Sequence, residues 1–423
     1  MKKRIAFISE HASPLASPGS IDSGGQNIYV AELARHLVNL GYSIDIFTRA
    51  ESREQPAIVY WQPNIRVIHV NAGPLRVLPK EDLYEFMPRF TRNTAAFILN
   101  ERIHYDLIHA HFWMSGMVAC ELKQIFNIPF VITFHALGYV RKLYQKENDR
   151  FPACRIDVEK AIVAQADCII AECSQDEEDL INYYAAPKSK ICVVPCGFSK
   201  EEFYPVSKAE ARQKIGIGLD EKVILQLGRM VPRKGIDNVI KALGYLNGTD
   251  KVKLLVVGGD TQLPDPTLSK ELARLMNIAK DAGRSESVIF TGPKGRSDLK
   301  YYYSAADIFI TTPWYEPFGI TPLEAMACGT PVIGSNVGGI KYSVADGETG
   351  FLVPSNEPTA LAHKISMLLN SPDLLETMSK QAISRVNLLF TWNRVATEMA
   401  HVYDTLKAVP VHSVAPRKET KAA

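Results

Sequence analysis

Short apolar runs rich in β-branched residues alternate along this chain with longer stretches whose apolar positions recur every three to four residues. Runs of the first kind, bounded by turn formers, predict strands, and the 3.6-residue period predicts helices. In the first half the strands fall at Arg4–Ser9, Ser43–Thr48, Ile65–Val70, Leu107–Ala110, Phe130–Thr133, Cys168–Ala171 and Ile191–Val194. In the second half they fall at Val223–Leu227, Lys253–Val257, Val288–Phe290, Ile308–Thr311 and Pro331–Gly334. Helices fill most of the intervals, for example Ile28–Asn39, Ile236–Leu246 and Pro358–Leu369. Strict alternation of strand and helix argues for parallel sheets covered by helices. A break falls at Val193–Val206, which has proline near both ends and glycine between, and a fresh strand–helix series follows it. The 423 residues exceed one ordinary core. The expected fold is therefore α/β, with two doubly wound domains of about 200 residues each. In such sheets ligands lie at the carboxyl ends of the strands, so two facing domains would enclose a cleft.

Composition narrows this picture only slightly. Hydrophobic residues make up 46% and charged residues 22%, as in soluble enzymes. A net charge of +2 gives no general attraction to nucleic acid or anionic lipid. The seven cysteines include no C-x-x-C pair; Cys192 and Cys196 are the closest, with no histidine beside them. Free thiols in a reducing compartment are expected. The apolar run that ends at Glu10 is too short for a secretory core, and no stretch approaches a membrane span. The expectation is a soluble, cytoplasmic protein with a disordered tail from Ala408 onward.

Candidate chemistry concentrates in the loops. Residues 314–331 read W-Y-E-P-F-G-I-T-P-L-E-A-M-A-C-G-T-P. Pro317 and Pro322 lack amide donors and Gly319 frees the backbone between them. A helix is predicted from Pro322, with Thr321 as N-cap and Gly329 as its stop. Exposed amides, a positive helix end and the two acids Glu316 and Glu324 suit a ligand carrying both phosphate and hydroxyls, such as a nucleotide sugar. Thr321 and Glu324 also have capping-box spacing, so Glu324 can equally be read as tying off its own helix. After strand Val223–Leu227, the cations Arg229, Arg233 and Lys234 gather before a helix that begins near Gly235. Three cations there oppose the macrodipole unless an anion sits among them. A diphosphate fits, with Arg229 and Lys234 as clamps and Arg233 read as solvated.

The first strand leads to S-G-G-Q-N at 23–27, where Gly24 and Gly25 let a ligand approach the backbone at a helix start. No strand is followed by G-x-G-x-x-G, which weakens a nicotinamide dehydrogenase reading. His109 and His111 lie in H-A-H-F-W-M-S-G and His135 in T-F-H-A-L-G; His109 and Trp113 read as packing residues. With no close acidic set and no D-x-D, no metal site is predicted. Lys80, Arg141, Lys142 and Arg155 together could hold a second anionic ligand across the cleft.

These motifs resemble the retaining glycosyltransferases of family 4, which have the two-domain GT-B fold. S-G-G-Q-N, H-A-H-F-W-M-S-G, T-F-H-A-L-G, V-P-C-G-F at 194–198, G-R-M-V-P-R-K-G at 228–235 and E-P-F-G-I-T-P-L-E-A-M-A-C-G-T-P at 316–331 carry the likeness, and F-T-W at 390–392 matches the family's last crossover. The resemblance implies an acceptor domain over 1–195, a nucleotide-sugar domain over 196–390, a final helix at about 391–408 returning to the first domain, and a tail at 409–423. It implies that Glu316 meets donor-sugar hydroxyls, that the backbone at Phe318 and Gly319 lies against that sugar, and that amides of Ile320 and Thr321 meet the diphosphate beside Arg229 and Lys234. Glu324 would hold the ribose, His135 would sit by the reacting sugar, and Gly25 would let the first-domain loop close over the phosphates. No cofactor and no metal are implied.

Within the family the chain looks closest to enzymes with small phosphorylated acceptors: the inositol-phosphate N-acetylglucosaminyltransferase of mycothiol synthesis and the sucrose-phosphate synthases. Asn27, Lys80 and Arg155 match acceptor positions of the first. Phe112 and Ala136 stand where tyrosine and threonine are expected, so a phosphorylated hexose is as plausible an acceptor as inositol phosphate. The implied reaction moves a hexose from a UDP-sugar to such an acceptor. Two alternatives stay open: a membrane-associated enzyme of polysaccharide or glycolipid synthesis, and a nucleotide-sugar-binding protein without turnover. A homodimer is also left open.

Overall fold

The structure is a computed structural model that describes residues 3–16, 24–246, 252–259 and 261–406. Ser23 of the glycine loop and the tail beyond Leu406 lie outside the described residues. The first sheet contains β1 (Arg4–Ile8), β2 (Ser43–Arg49), β3 (Ile58–Gln62), β4 (Ile65–Val70), β5 (Leu107–His111), β6 (Phe130–Thr133), β7 (Cys168–Ala171) and β8 (Ile191–Val193). Their order is β3-β4-β2-β1-β5-β6-β7-β8, and every pairing is parallel except β3 with β4. The second sheet contains β9 (Lys222–Leu227), β10 (Val252–Val257), β11 (Val288–Gly292), β12 (Ile308–Thr311), β13 (Val332–Ser335) and β14 (Gly350–Val353), in the order β11-β10-β9-β12-β13-β14. This sheet is parallel throughout.

The apolar runs are explained by burial on both faces. In β1, Ile5 and Phe7 point into one core and Ala6 and Ile8 into another, all fully buried. Successive side chains of a strand point to opposite faces, so a strand covered on both sides must be apolar throughout. One of these cores continues through Phe198 and Trp392 to Phe309 and Leu323, joining the layers under both sheets. Strand order reverses between β1 and β5 and again between β9 and β12. At such a reversal the flanking loops diverge and leave a crevice beyond the carboxyl ends.

Three local expectations are corrected. Neither β3 nor β14 was predicted: β3 is an antiparallel edge strand with mostly part-exposed residues, and β14 opens on Gly350. The helix after the glycine loop runs Gly25–Asn39 and so begins earlier than Ile28, because Asn27 Oδ1 accepts from the Gly24 amide at 3.0 Å and closes its first turn. The final helix, Trp392–Thr405, is capped by Thr391 and packs on helix Gly25–Asn39.

Candidate functional site

At the carboxyl end of β12 the chain turns through Pro317 and Gly319, and Gly319 adopts a φ of +88°. The following helix runs Ile320–Ala327, with Gly319 rather than Thr321 as its N-cap. The predicted start at Pro322 is thus two residues late, since glycine reaches the left-handed region and lets the helix begin at once. The amides of Ile320 and Thr321 stand in the first turn, where a helix offers them no partner. The capping box does not form. Glu324 is buried and accepts from Arg296 Nη1 at 3.0 Å and from the Tyr303 hydroxyl at 2.9 Å.

Arg233 and Lys234 sit on a short turn, Pro232–Lys234, ahead of helix Ile236–Gly244. Gly235 links the two at a φ of +66°, and a Cβ there would lie 2.0 Å from the Thr312 carbonyl oxygen, so only glycine fits. The Lys234 ammonium donates to Glu316 Oε2, and Arg233 approaches the same oxygen at 3.6 Å. Glu316 is an anion among the three cations. Burial pushes its carboxyl up, but Lys234, Arg233 and Arg229 outweigh burial and hold it below its ordinary value. Burial and the neighbouring arginines lower Lys234 despite Glu316. Arg233 is therefore no mere solvated loop residue, as had been expected, whereas Arg229 is exposed at the cleft.

The first sheet faces this group with the loops after β5, β6 and β7. His135 Nδ1 lies 3.2 Å from Glu172 Oε1, and its Nε2 lies 3.2 Å from His111 Nδ1. Cys196, in the linker, donates its thiol to the same Glu172 oxygen at 3.0 Å. His109 is fully buried and satisfied by Tyr403 at 2.6 Å and Thr133 at 2.9 Å, consistent with its packing role. Arg155 is buried beneath the rings of Phe112, Trp113 and Phe151, 4.5–5.6 Å from their centroids. Its Nε donates to Glu159 at 2.8 Å and its Nη2 to the Ala136 carbonyl at 2.5 Å, leaving Nη1 without a partner.

A cleft between the sheets is lined by Gly25, Asn27, Lys80, Phe112, His135, Ala136 and Arg155 on one side and by Arg229, Glu316, Phe318, Gly319 and Ile320 on the other. Of the other residues singled out in sequence, Arg141 joins this lining, Lys142 is exposed away from it, and Lys234 stands behind Glu316. Thr321 and Glu324 lie outside the lining. The Asn27 amide is engaged with the Gly24 amide and, at 2.9 Å, the Ser13 carbonyl. Sequence reasoning missed Glu172, Cys196 and Tyr315, which only the folded chain brings to the cleft. It also missed Gly338 and Gly339, where any Cβ would strike the backbone of Glu316 and Phe318. Their adjacent placement in V-G-G-I was the available signal. Among the described residues no group of three His, Cys, Asp or Glu side chains is placed to hold a metal ion, and no helix is long and apolar enough to cross a membrane.

Comparison with known proteins places this geometry. Residues 23–202 match the model for Glycosyltransferase Family 4, and residues 207–385 match that for Glycosyl transferases group 1. The chain is 35% identical over 412 residues to D-inositol 3-phosphate glycosyltransferase 2 of Catenulispora acidiphila, covering 95% of each chain. It is also 35% identical over 409 residues to the D-inositol 3-phosphate glycosyltransferase of Corynebacterium glutamicum, covering 95% of this chain and 96% of that one. Among solved structures, the sucrose-phosphate synthase of Thermosynechococcus elongatus superposes with a TM-score of 0.87 at 36% identity, over 96% of this chain and 99% of the other. The two sheets, the cleft and the returning helix are those of the GT-B fold, and the chain belongs to the glycosyltransferases built from a family 4 module and a group 1 module.

Proposed function

We propose that this protein transfers a hexosyl unit from a UDP-sugar to a hydroxyl of a small phosphorylated sugar or polyol, with retention at the anomeric carbon. The observation that carries this reading is a pair of cationic groups facing each other across one cleft. Arg229, Arg233 and Lys234 stand beside a helix start on one wall, and Lys80, Arg141 and Arg155 lie at the other. One diphosphate and one phosphomonoester would suit the two groups. The names of the similar proteins point the same way, since D-inositol 3-phosphate and sucrose phosphate are both small and phosphorylated.

In this reading the bond from C1 to the donor phosphate oxygen breaks as the acceptor oxygen bonds to C1 on the same face. The acceptor proton passes to a donor phosphate oxygen. Arg229, Lys234 and the amides of Ile320 and Thr321 stabilise the departing charge, and preorganised electrostatics of this kind is the largest catalytic term in many enzymes. Glu316 bonds the sugar hydroxyls and His135, oriented by Glu172, flanks the sugar. Gly25 and the backbone of Phe318 and Gly319 admit the donor, and Glu324 reaches the ribose once Arg296 yields. Phe112 and Ala136 contribute no side-chain hydroxyl, so a hexose phosphate suits this wall as well as inositol phosphate does. Divisions at 195/196 and 390/391 separate the acceptor and donor modules.

The test pairs common nucleotide sugars with fructose 6-phosphate, glucose 6-phosphate, inositol phosphate and lipid acceptors, and detects products by mass. A phosphorylated disaccharide or pseudodisaccharide is the expected product. Transfer only to lipid would replace this reading, and nucleotide-sugar binding without product would point to a non-catalytic protein.

A further inference from the structure

Helix Gly138–Gln145 joins the two walls of the cleft. Its first amide, that of Gly138, donates to both Glu159 oxygens at 3.1 and 3.0 Å, and Glu159 is the carboxylate that holds Arg155. Arg141, one turn on, lines the cleft between Asp149 at 2.8 Å and Glu81 at 3.5 Å. Tyr144 and Gln145, three and four residues further, share that helix face. Both grip Tyr315 of the opposite wall. The Tyr144 and Tyr315 rings stack with centroids 5.0 Å apart and 23° between planes, and Gln145 Nε2 donates to the Tyr315 hydroxyl at 2.5 Å.

Tyr315 is only 8% exposed although it stands at a cleft, and Arg233 covers it from its own side, 5.2 Å from the ring centroid. Its backbone leads directly into Glu316. The helix thus starts on the carboxylate that holds Arg155, passes Arg141 and ends on the residue that carries Glu316.

We infer that Tyr144 and Gln145 are positioning residues for Glu316, and that this helix is a clasp through which an occupied acceptor site fixes the donor-side carboxylate. The inference rests on the donor and acceptor walls assigned above. Anchoring at the Arg155–Glu159 pair makes the helix N-terminus respond to an anion near Arg155, and the rigid short helix carries that response to its last turn.

The variants are Tyr144→Ala, Gln145→Ala, their combination, and Tyr144→Phe. The double variant should lose about tenfold or more in kcat/KM for a hexose-phosphate acceptor, within the span of ordinary coupling between sites. Its affinity for UDP should stay close to that of the wild type. Tyr144→Phe keeps the stacked ring and should recover most of the loss. An unchanged kcat/KM, or a parallel fall in UDP affinity, would overturn the clasp. If the wild type turns over no acceptor, the functional reading fails instead, and X-ray scattering then decides the clasp. A larger radius of gyration in the ligand-free double variant supports it, and an unchanged one overturns it.

Discussion

Glu316 is a carboxylate whose ionisation is set by its neighbours. Lys234 and Arg233 reach one of its oxygens and hold its carboxyl below the ordinary value, although burial pushes it up. Glu316→Gln keeps the shape and removes the charge. Losing one electrostatic group of this kind costs about 3 kcal/mol in barrier, roughly a hundredfold in kcat. UDP, which lacks the sugar that Glu316 would meet, should bind with far less change. The same substitution has a pH signature. A carboxyl held below its ordinary value in the folded state stabilises the fold fully above its unfolded value, and that contribution is lost as pH falls through the folded value. Acid-unfolding profiles of the wild type and Glu316→Gln should therefore converge at low pH and separate towards neutrality. Parallel profiles would mean that the cations do not stabilise the folded carboxylate.

At the scale of the element, the returning helix Trp392–Thr405 is the part most exposed to a single change. Trp392 is 1% exposed, with its ring at the edge of Tyr29 and within 2.8 Å of where a Cβ on Gly197 would stand. Trp392→Ala should destabilise the protein by about 3–5 kcal/mol, read as a shifted denaturant midpoint, because the cavity lies between the helix and two other segments that cannot all collapse into it. Such elements were legible in the sequence where physics left one choice. Strands buried on both faces, like Ile5–Ile8 and Ile308–Ile310, must be apolar at every position and announce themselves. β3 did not, because an antiparallel edge strand needs no such run, and β14 opens on a glycine, which reads as part of the turn before it. The loop glycines and cations at 229–235 and 316–320 were legible because unusual backbone and opposed charge are local properties. Glu172, Cys196 and Tyr144 were not, since their importance arises only when separate loops meet. Thr321 and Glu324 gave a false local signal: their capping spacing is real, but Arg296 and Tyr303 offer the carboxylate stronger donors.

For the whole molecule, a ligand that binds only the folded cleft should stabilise it by mass action. At a hundred times its dissociation constant, UDP should add about 2.7 kcal/mol, visible as a rise in Tm of a few degrees. The rise should persist with a chelator present, because the proposed partners for the diphosphate are Arg229, Lys234 and backbone amides. A rise abolished by chelator would place a cation in that complex.

The chain passes between the two sheets twice, and the passages are stitched together. The Phe198 amide donates to the Phe390 carbonyl at 2.9 Å, and the Trp392 amide to the Phe198 carbonyl at 3.4 Å. Two junctions nearly two hundred positions apart in the gene product thus occupy one spot in space. Exchange of the segment between them is accordingly a graft with a single seam. A relative's intervening half, joined at 198 and 391 with Gly197 and Trp392 kept, should give a folded hybrid whose donor preference follows the graft while its acceptor preference stays with the host. On the proposed assignment of the two halves, shuffling at this seam would pair old sugar donors with new acceptors without rebuilding either half.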